Sequence, residues 1–167
     1  EVSDDFKFIR EAAFLALSQK MHPETELQQR EQSDQSAIKS PHRLAVIMLS
    51  DNRTIRDLNK TYRGKDQATN ILSFPANEMD LEMHNQADEP ETQHIGDAIL
   101  AYEYVENEAK IEQKPLKTHI SHLVIHGVLH LLGYDHETTE EASIMESLEI
   151  ALMKQLGYPN PYEPEIT

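Results

Sequence analysis

The segment His126-Gly-Val-Leu-His130-Leu-Leu-Gly133-Tyr-Asp-His136 carries three histidines in the pattern H-x3-H-x5-H. Residues four apart on a helix project from one face, about one turn apart. His126 and His130 can therefore offer two neutral nitrogens to one ion at the roughly 2.0–2.1 Å that zinc takes. Gly133 can adopt the left-handed conformation that ends a helix, and the returning chain would deliver His136 as a third ligand. Three protein ligands leave the fourth position of Zn2+ open, which is the catalytic rather than the structural arrangement. His119 and His122 extend the stripe toward the helix N-terminus. His122 and His130 lie two turns apart, roughly 12 Å along the axis, so His119 and His122 read as supporting groups rather than ligands.

The residue after the first histidine narrows the chemistry. In H-E-x-x-H metallopeptidases that residue is the glutamate acting as general base; here it is Gly127. A metal can still acidify water unaided, but the peptidase proton shuttle is missing. Asp135 and Glu137 flank His136, and either could orient an imidazole or help deprotonate water; Glu137 reads as an ordinary helix N-terminal acid. Arg63 stands in Asn59-Lys-Thr-Tyr-Arg63-Gly-Lys65, between an expected helix and an expected strand. A guanidinium can clamp phosphate oxygens bidentately, although spacing alone favours a solvated or ion-paired arginine.

The elements that must position these residues follow from periodicity and punctuation. Helical spacing over 5–21 predicts an amphipathic helix capped by Asp4 or Asp5. The polar stretch 22–41 reads as a long mobile connection. Leu44-Ala-Val-Ile-Met-Leu49 is a continuous apolar run, expected to form a buried strand. Asp51 could cap a helix over 52–61 ending near Gly64. Residues 69–74 read as a strand stopped by Pro75, the acidic stretch 76–93 as a mobile surface loop, and 95–102 as a third strand. Helices are expected over 103–112, from near Pro115 to Leu132, and over 138–156 before Gly157. The segment bearing the histidines is apolar nearly all round, so it should be central and buried. This order predicts one domain spanning 1–167, a small sheet packed on helices.

Composition sets the outer bounds. A chain of 167 residues, 38% apolar and 27% charged, reads as one soluble domain with a real core. No apolar run is long enough to span a membrane, and the first residues lack the basic and apolar regions of a signal peptide. The absence of cysteine removes disulfides, thiolate metal sites and cysteine nucleophiles, and fits a cytoplasmic protein. The net charge of −15 argues by itself against a nucleic-acid partner. The charge is uneven, however: residues 53–65 hold Arg53, Arg56, Lys60, Arg63 and Lys65 against Asp57 alone. Net charge is therefore a poor guide to partners, and the local basic run counts beside it.

The metal motif, with Glu137 after it, resembles the signature of the bacterial YbeY family of single-domain, metal-dependent endoribonucleases of rRNA maturation. Leu58-Asn59 with Tyr62-Arg63, then Thr69-Asn-Ile-Leu-Ser-Phe-Pro75, resembles a second family block. Ile95-Gly-Asp97 resembles a third, and Met145-Glu146, Glu149 and Leu156-Gly-Tyr-Pro-Asn-Pro-Tyr162 are similar to the C-terminal end. The blocks cover most of 44–162 in order. Asn70 departs from the Asp of many members. The resemblance implies an α+β fold with the metal helix on a small mixed sheet. It implies one zinc ion on His126, His130 and His136, and a functional Arg63 in an RNA cleft. It further implies cleavage of single-stranded RNA in maturation of the small-subunit rRNA 3′ end, ribosome quality control, and ribosomal partners, with neither DNA nor membrane expected. The alternative is a non-catalytic ribosome-assembly or RNA-binding factor with structural zinc. A metallopeptidase is disfavoured by Gly127.

Overall fold

The computed structural model describes residues 6–23, 42–76 and 92–163. Residues 24–41 of the expected connection over 22–41, residues 77–91 of the expected loop over 76–93, and the expected caps Asp4 and Asp5 lie outside the described residues. The element order is α1 (Lys7–Leu17), β1 (His42–Ser50), α2 (Asn52–Arg63), β2 (Ile71–Pro75), β3 (Thr92–Ala101), α3 (Tyr102–Ile111), α4 (Leu116–Leu131) and α5 (Thr139–Gln155). The strands form a mixed sheet in the order β1-β3-β2, with β1 parallel and β2 antiparallel to β3. The chain is thus an α+β fold, as its sequence implies.

Helix α4 is the centre of the molecule. It begins after Pro115, whose missing N–H costs nothing at that position. Ile120, Val124, Ile125, Val128 and Leu129 are all buried on it. Helix α1 packs on α4 through Ala12, Ala13 and Ala16, small residues that let the two backbones approach closely. The sheet covers another side of α4. Gly127 is a point of close approach: a Cβ there would stand 2.6 Å from Ile71 Cδ1 and 3.2 Å from Ser73 Oγ. Ser73 Oγ donates to the Gly127 carbonyl across this contact, at 3.2 Å.

The local signals explain most of the element ends. Asp51 caps α2 by accepting from the Thr54 N–H at 2.7 Å, and Gly64 closes it at φ 68°. Thr138 and Glu141 form a reciprocal capping box at the start of α5. Three expectations are corrected. Helix α1 ends at Leu17 rather than 21, and its N-cap position, Phe6, contributes no side-chain bond. Thr92 and Gln93 belong to β3 rather than to a loop, because the parallel partnership with β1 begins at His42↔Thr92. Strand β1 is not buried: Leu44, Val46 and Met48 are exposed. The strand order leaves β1 at an edge, where α1 and α4 pack over Ala45 and Ile47 on one face. Helix α2 covers the opposite face only over β2 and β3, through Ile55 against Leu72 and Ala101.

Candidate metal centre

His126 and His130 stand one turn apart on α4, and the chain after it returns His136. Leu132 ends the helix and Gly133, at φ 91°, provides the reversal. One ligating atom from each of His126, His130 and His136 lies within 4.8 Å of the others, a group that could hold a metal ion. His126 and His130 are half-buried and His136 is exposed, so the group opens to solvent on one side.

Hydrogen bonds fix which nitrogens face inward. His130 Nδ1 donates to the Tyr134 carbonyl at 2.9 Å, a bond made possible by the Gly133 turn. His126 Nδ1 donates to Glu149 Oε1 on α5 at 2.6 Å. With both Nδ1 atoms donating, neutral rings carry lone pairs on both Nε2 atoms, and these two atoms face each other 3.1 Å apart. Two acceptors so close are unfavourable unless a metal ion or a shared proton lies between them. Tetrahedral zinc with ligands at about 2.0–2.1 Å separates its donors by roughly 3.3–3.4 Å, so the residues present fit such an ion with little movement. Burial, reinforced by the neighbouring His126 and His136, pushes His130 down from its usual 6.5 to about 4, which favours the neutral, ligating form.

Glu149 is a further polar group at this site, one that the spacing of the histidines does not reveal. Its side chain is 1% exposed. Burial alone would raise its carboxyl, but the nearby His122 imidazole, 3.6 Å away, and the bond from His126 outweigh that and hold it at about 2. Its second oxygen accepts from the Tyr162 hydroxyl. The available signal is its position: Met145, Glu149, Leu152 and Met153 are the buried residues of α5, so a carboxylate interrupts an apolar stripe at helical spacing.

The other expected residues divide. His119 is a supporting group: its Nε2 donates to Glu108 at 2.7 Å, away from the metal group. Glu108 also accepts from Asn70 Nδ2 at 3.1 Å, a bond that an aspartate at position 70 could not donate. His122 Nε2 lies 3.6 Å from Glu149 Oε1 and outside the metal group. Asp135 Oδ1 accepts from the His136 N–H at 2.8 Å and stands 4.0 Å from His130 Nδ1; the Tyr134 carbonyl, not Asp135, orients His130. Arg63 is the exposed last residue of α2. The neighbouring Tyr62 ring meets Phe74 of β2 edge-on at 5.2 Å. Phe74 pairs with Asp97 beside Gly96, where Leu131 of α4 also packs. Of the other expected cations, Arg56 and Lys60 are both paired with Asp66, at 2.7 and 3.1 Å. Asp66 lies one residue beyond the basic run, which is why the run looked more positive than the folded surface is.

A family model described as "Endoribonuclease YbeY" matches residues 10–157. Curated proteins named "Endoribonuclease YbeY" are similar to the chain. One from Rhodopseudomonas palustris is 47% identical over 117 residues, covering 70% of this chain and 59% of that protein. One from Magnetococcus marinus is 50% identical over 120 residues, covering 70% and 80%. One from Nitrobacter hamburgensis is 50% identical over 120 residues, covering 72% and 62%. The chain spans about six tenths of the length of the first of these. A Thermotoga maritima protein solved in solution is 21% identical, covers 98% of this chain and 95% of its own, and superposes with a TM-score of 0.47, too loosely to add to the description of the fold. With the family model matching from α1 to the end of α5, the chain belongs to the YbeY family.

Proposed function

We propose that this protein is a zinc-dependent endoribonuclease that cuts single-stranded RNA in maturation of the small-subunit rRNA 3′ end. The observation that carries this reading is the pair of facing Nε2 atoms of His126 and His130, 3.1 Å apart, with His136 completing the group. His126, His130 and His136 would hold the ion. Bound there, zinc would supply Lewis acidity at the scissile phosphodiester. Glu149 and the Tyr134 carbonyl keep Nδ1 of the two helical ligands protonated, leaving Nε2 free to ligate. Asp135, half-exposed beside His130, is the solvent-facing carboxylate suited to accept a proton.

Arg63 holds the phosphate, and among the described residues no ion pair or hydrogen bond engages its side chain. Tyr62, 67% exposed beside it, offers a ring on which an unpaired base can stack. Arg53 and Lys65 add attraction for the backbone. The names of the relatives support the activity. The same reading takes rRNA as substrate, ribosomal proteins as partners and the cytoplasm as location. Among the described residues no helix is long and apolar enough to cross a membrane.

The test is cleavage of a single-stranded rRNA-like substrate by the wild type, His130→Ala and Arg63→Ala, with and without chelator. Cleavage by the untreated wild type alone is expected. Equal cleavage in every sample would overturn the proposal. Casein is expected to remain intact, since a glutamate at position 127 would have to enter the contact with Ile71 and Ser73.

A further inference from the structure

We propose that Glu149 is a positioning residue of the histidine centre, and that Tyr162 makes the C-terminal segment part of that centre. The inference rests on reading His126 as a metal ligand. A carboxylate taken fully out of water is costly unless it is paired and hydrogen-bonded. Among the described residues, Glu149 meets that condition through His126, His122 and Tyr162. One oxygen accepts from His126 Nδ1 at 2.6 Å and lies 3.6 Å from His122 Nε2. The other accepts from the Tyr162 hydroxyl. A carboxylate on the far nitrogen of a ligating imidazole fixes its tautomer and rotation and makes the inner nitrogen more basic. His130 Nδ1 bonds a backbone carbonyl, with Asp135 no nearer than 4.0 Å, so of the two helical ligands His126 is the one bonded directly to a carboxylate.

Tyr162 reaches Glu149 from the segment that follows α5. Gly157, at φ 79°, turns the chain back, and the Tyr158 N–H bonds to the Met153 carbonyl at 2.9 Å. Lys114 Nζ then donates to the Pro161 carbonyl at 3.2 Å, holding the segment against the start of α4. The Tyr162 N–H bonds to Asn160 Oδ1 at 3.0 Å. The ring stands edge-on to His122, 5.4 Å between centroids. So fixed, Tyr162 prevents the carboxylate from rotating away from His126.

The experiment compares full-length wild type, Glu149→Gln and Tyr162→Phe. Zinc affinity is measured by competition with a chromophoric chelator. The His126 ring tautomer is read from 15N shifts of the metal-free protein. The expected result for Glu149→Gln is a loss of affinity of roughly 10- to 100-fold, with His126 partly shifted to the Nε2–H tautomer. Tyr162→Phe keeps the fold and gives a smaller loss in the same direction, so it decides the matter if Glu149→Gln fails to fold. Wild-type affinity and a wild-type His126 tautomer in the folded variants would overturn the inference. A wild type that takes up no zinc would instead overturn the nuclease reading, and the tautomer measurement would still decide the role of Glu149.

Discussion

Gly127 has two meanings at the scale of the residue. In sequence it is the place where a peptidase glutamate is missing; in the fold it is the place where α4 touches the sheet. Gly127→Ala puts a methyl group 2.6 Å from Ile71 Cδ1 and 3.2 Å from Ser73 Oγ. Rotation of Ile71 absorbs part of the clash, and urea unfolding is expected to show a loss of about 1–3 kcal/mol. His130 gives the pH dependence. Its usual value is 6.5 and its folded value about 4, so between these limits the unfolded chain takes up a proton that the folded chain refuses. The contribution of His130 to the stability of the metal-free protein should therefore be lost as pH drops through 6.5 and level off below about 4, where the depressed carboxyl of Glu149 takes over the decline. In His130→Gln that part of the slope should vanish when melts are recorded in chelator; an unchanged slope would assign it to another histidine. The three histidines were legible because four-residue spacing and a glycine turn act locally. Glu149 was not, because its bond to His126 spans 23 residues and depends on how α5 packs against α4.

At the scale of the element, α2 was the most readable piece. Its Asp51 cap and Gly64 stop both lie within a few residues of the helix they bound. Its charge was less readable, since Arg56 and Lys60 turn to Asp66 across the Gly64 reversal. Removing that acid should release both cations. Asp66→Asn is expected to raise affinity for single-stranded RNA roughly two- to fivefold at low salt, with the gain shrinking as salt is added. Fluorescence anisotropy across a salt series measures this, and unchanged affinity would mean that RNA does not pass along α2. Strand β1 shows the opposite limit. A run such as Leu44 to Leu49 reads the same in a central strand as at an edge. Only the strand order and the reach of α2 decide which face is covered.

At the scale of the whole molecule, the main core and the histidine group are separate constructions. The core joins α1, α4, α5 and the sheet through Ala12, Ala16, Leu100, Val124, Val128, Leu129 and Leu152, and none of the three histidines belongs to it. Chelation should lower the melting temperature without unfolding the protein, by the linkage expected of a ligand, about 2.7 kcal/mol when the metal is present at 100 times its Kd. Circular dichroism melts test this; a protein unfolded by chelator at 25 °C would point to a structural metal instead. The partnership of β1 with β3 has a kinetic consequence of its own. Its first pair, His42↔Thr92, closes a far longer loop than the antiparallel pair Pro75↔Gly96. Loop-closure entropy opposes the longer contact first. Pulse-labelled hydrogen exchange during refolding should thus find β2 and β3 protected before β1, and simultaneous protection would contradict that order. Until β1 docks, its apolar face and unpaired backbone are open to other chains, so the yield of refolding should be set by protein concentration during that interval.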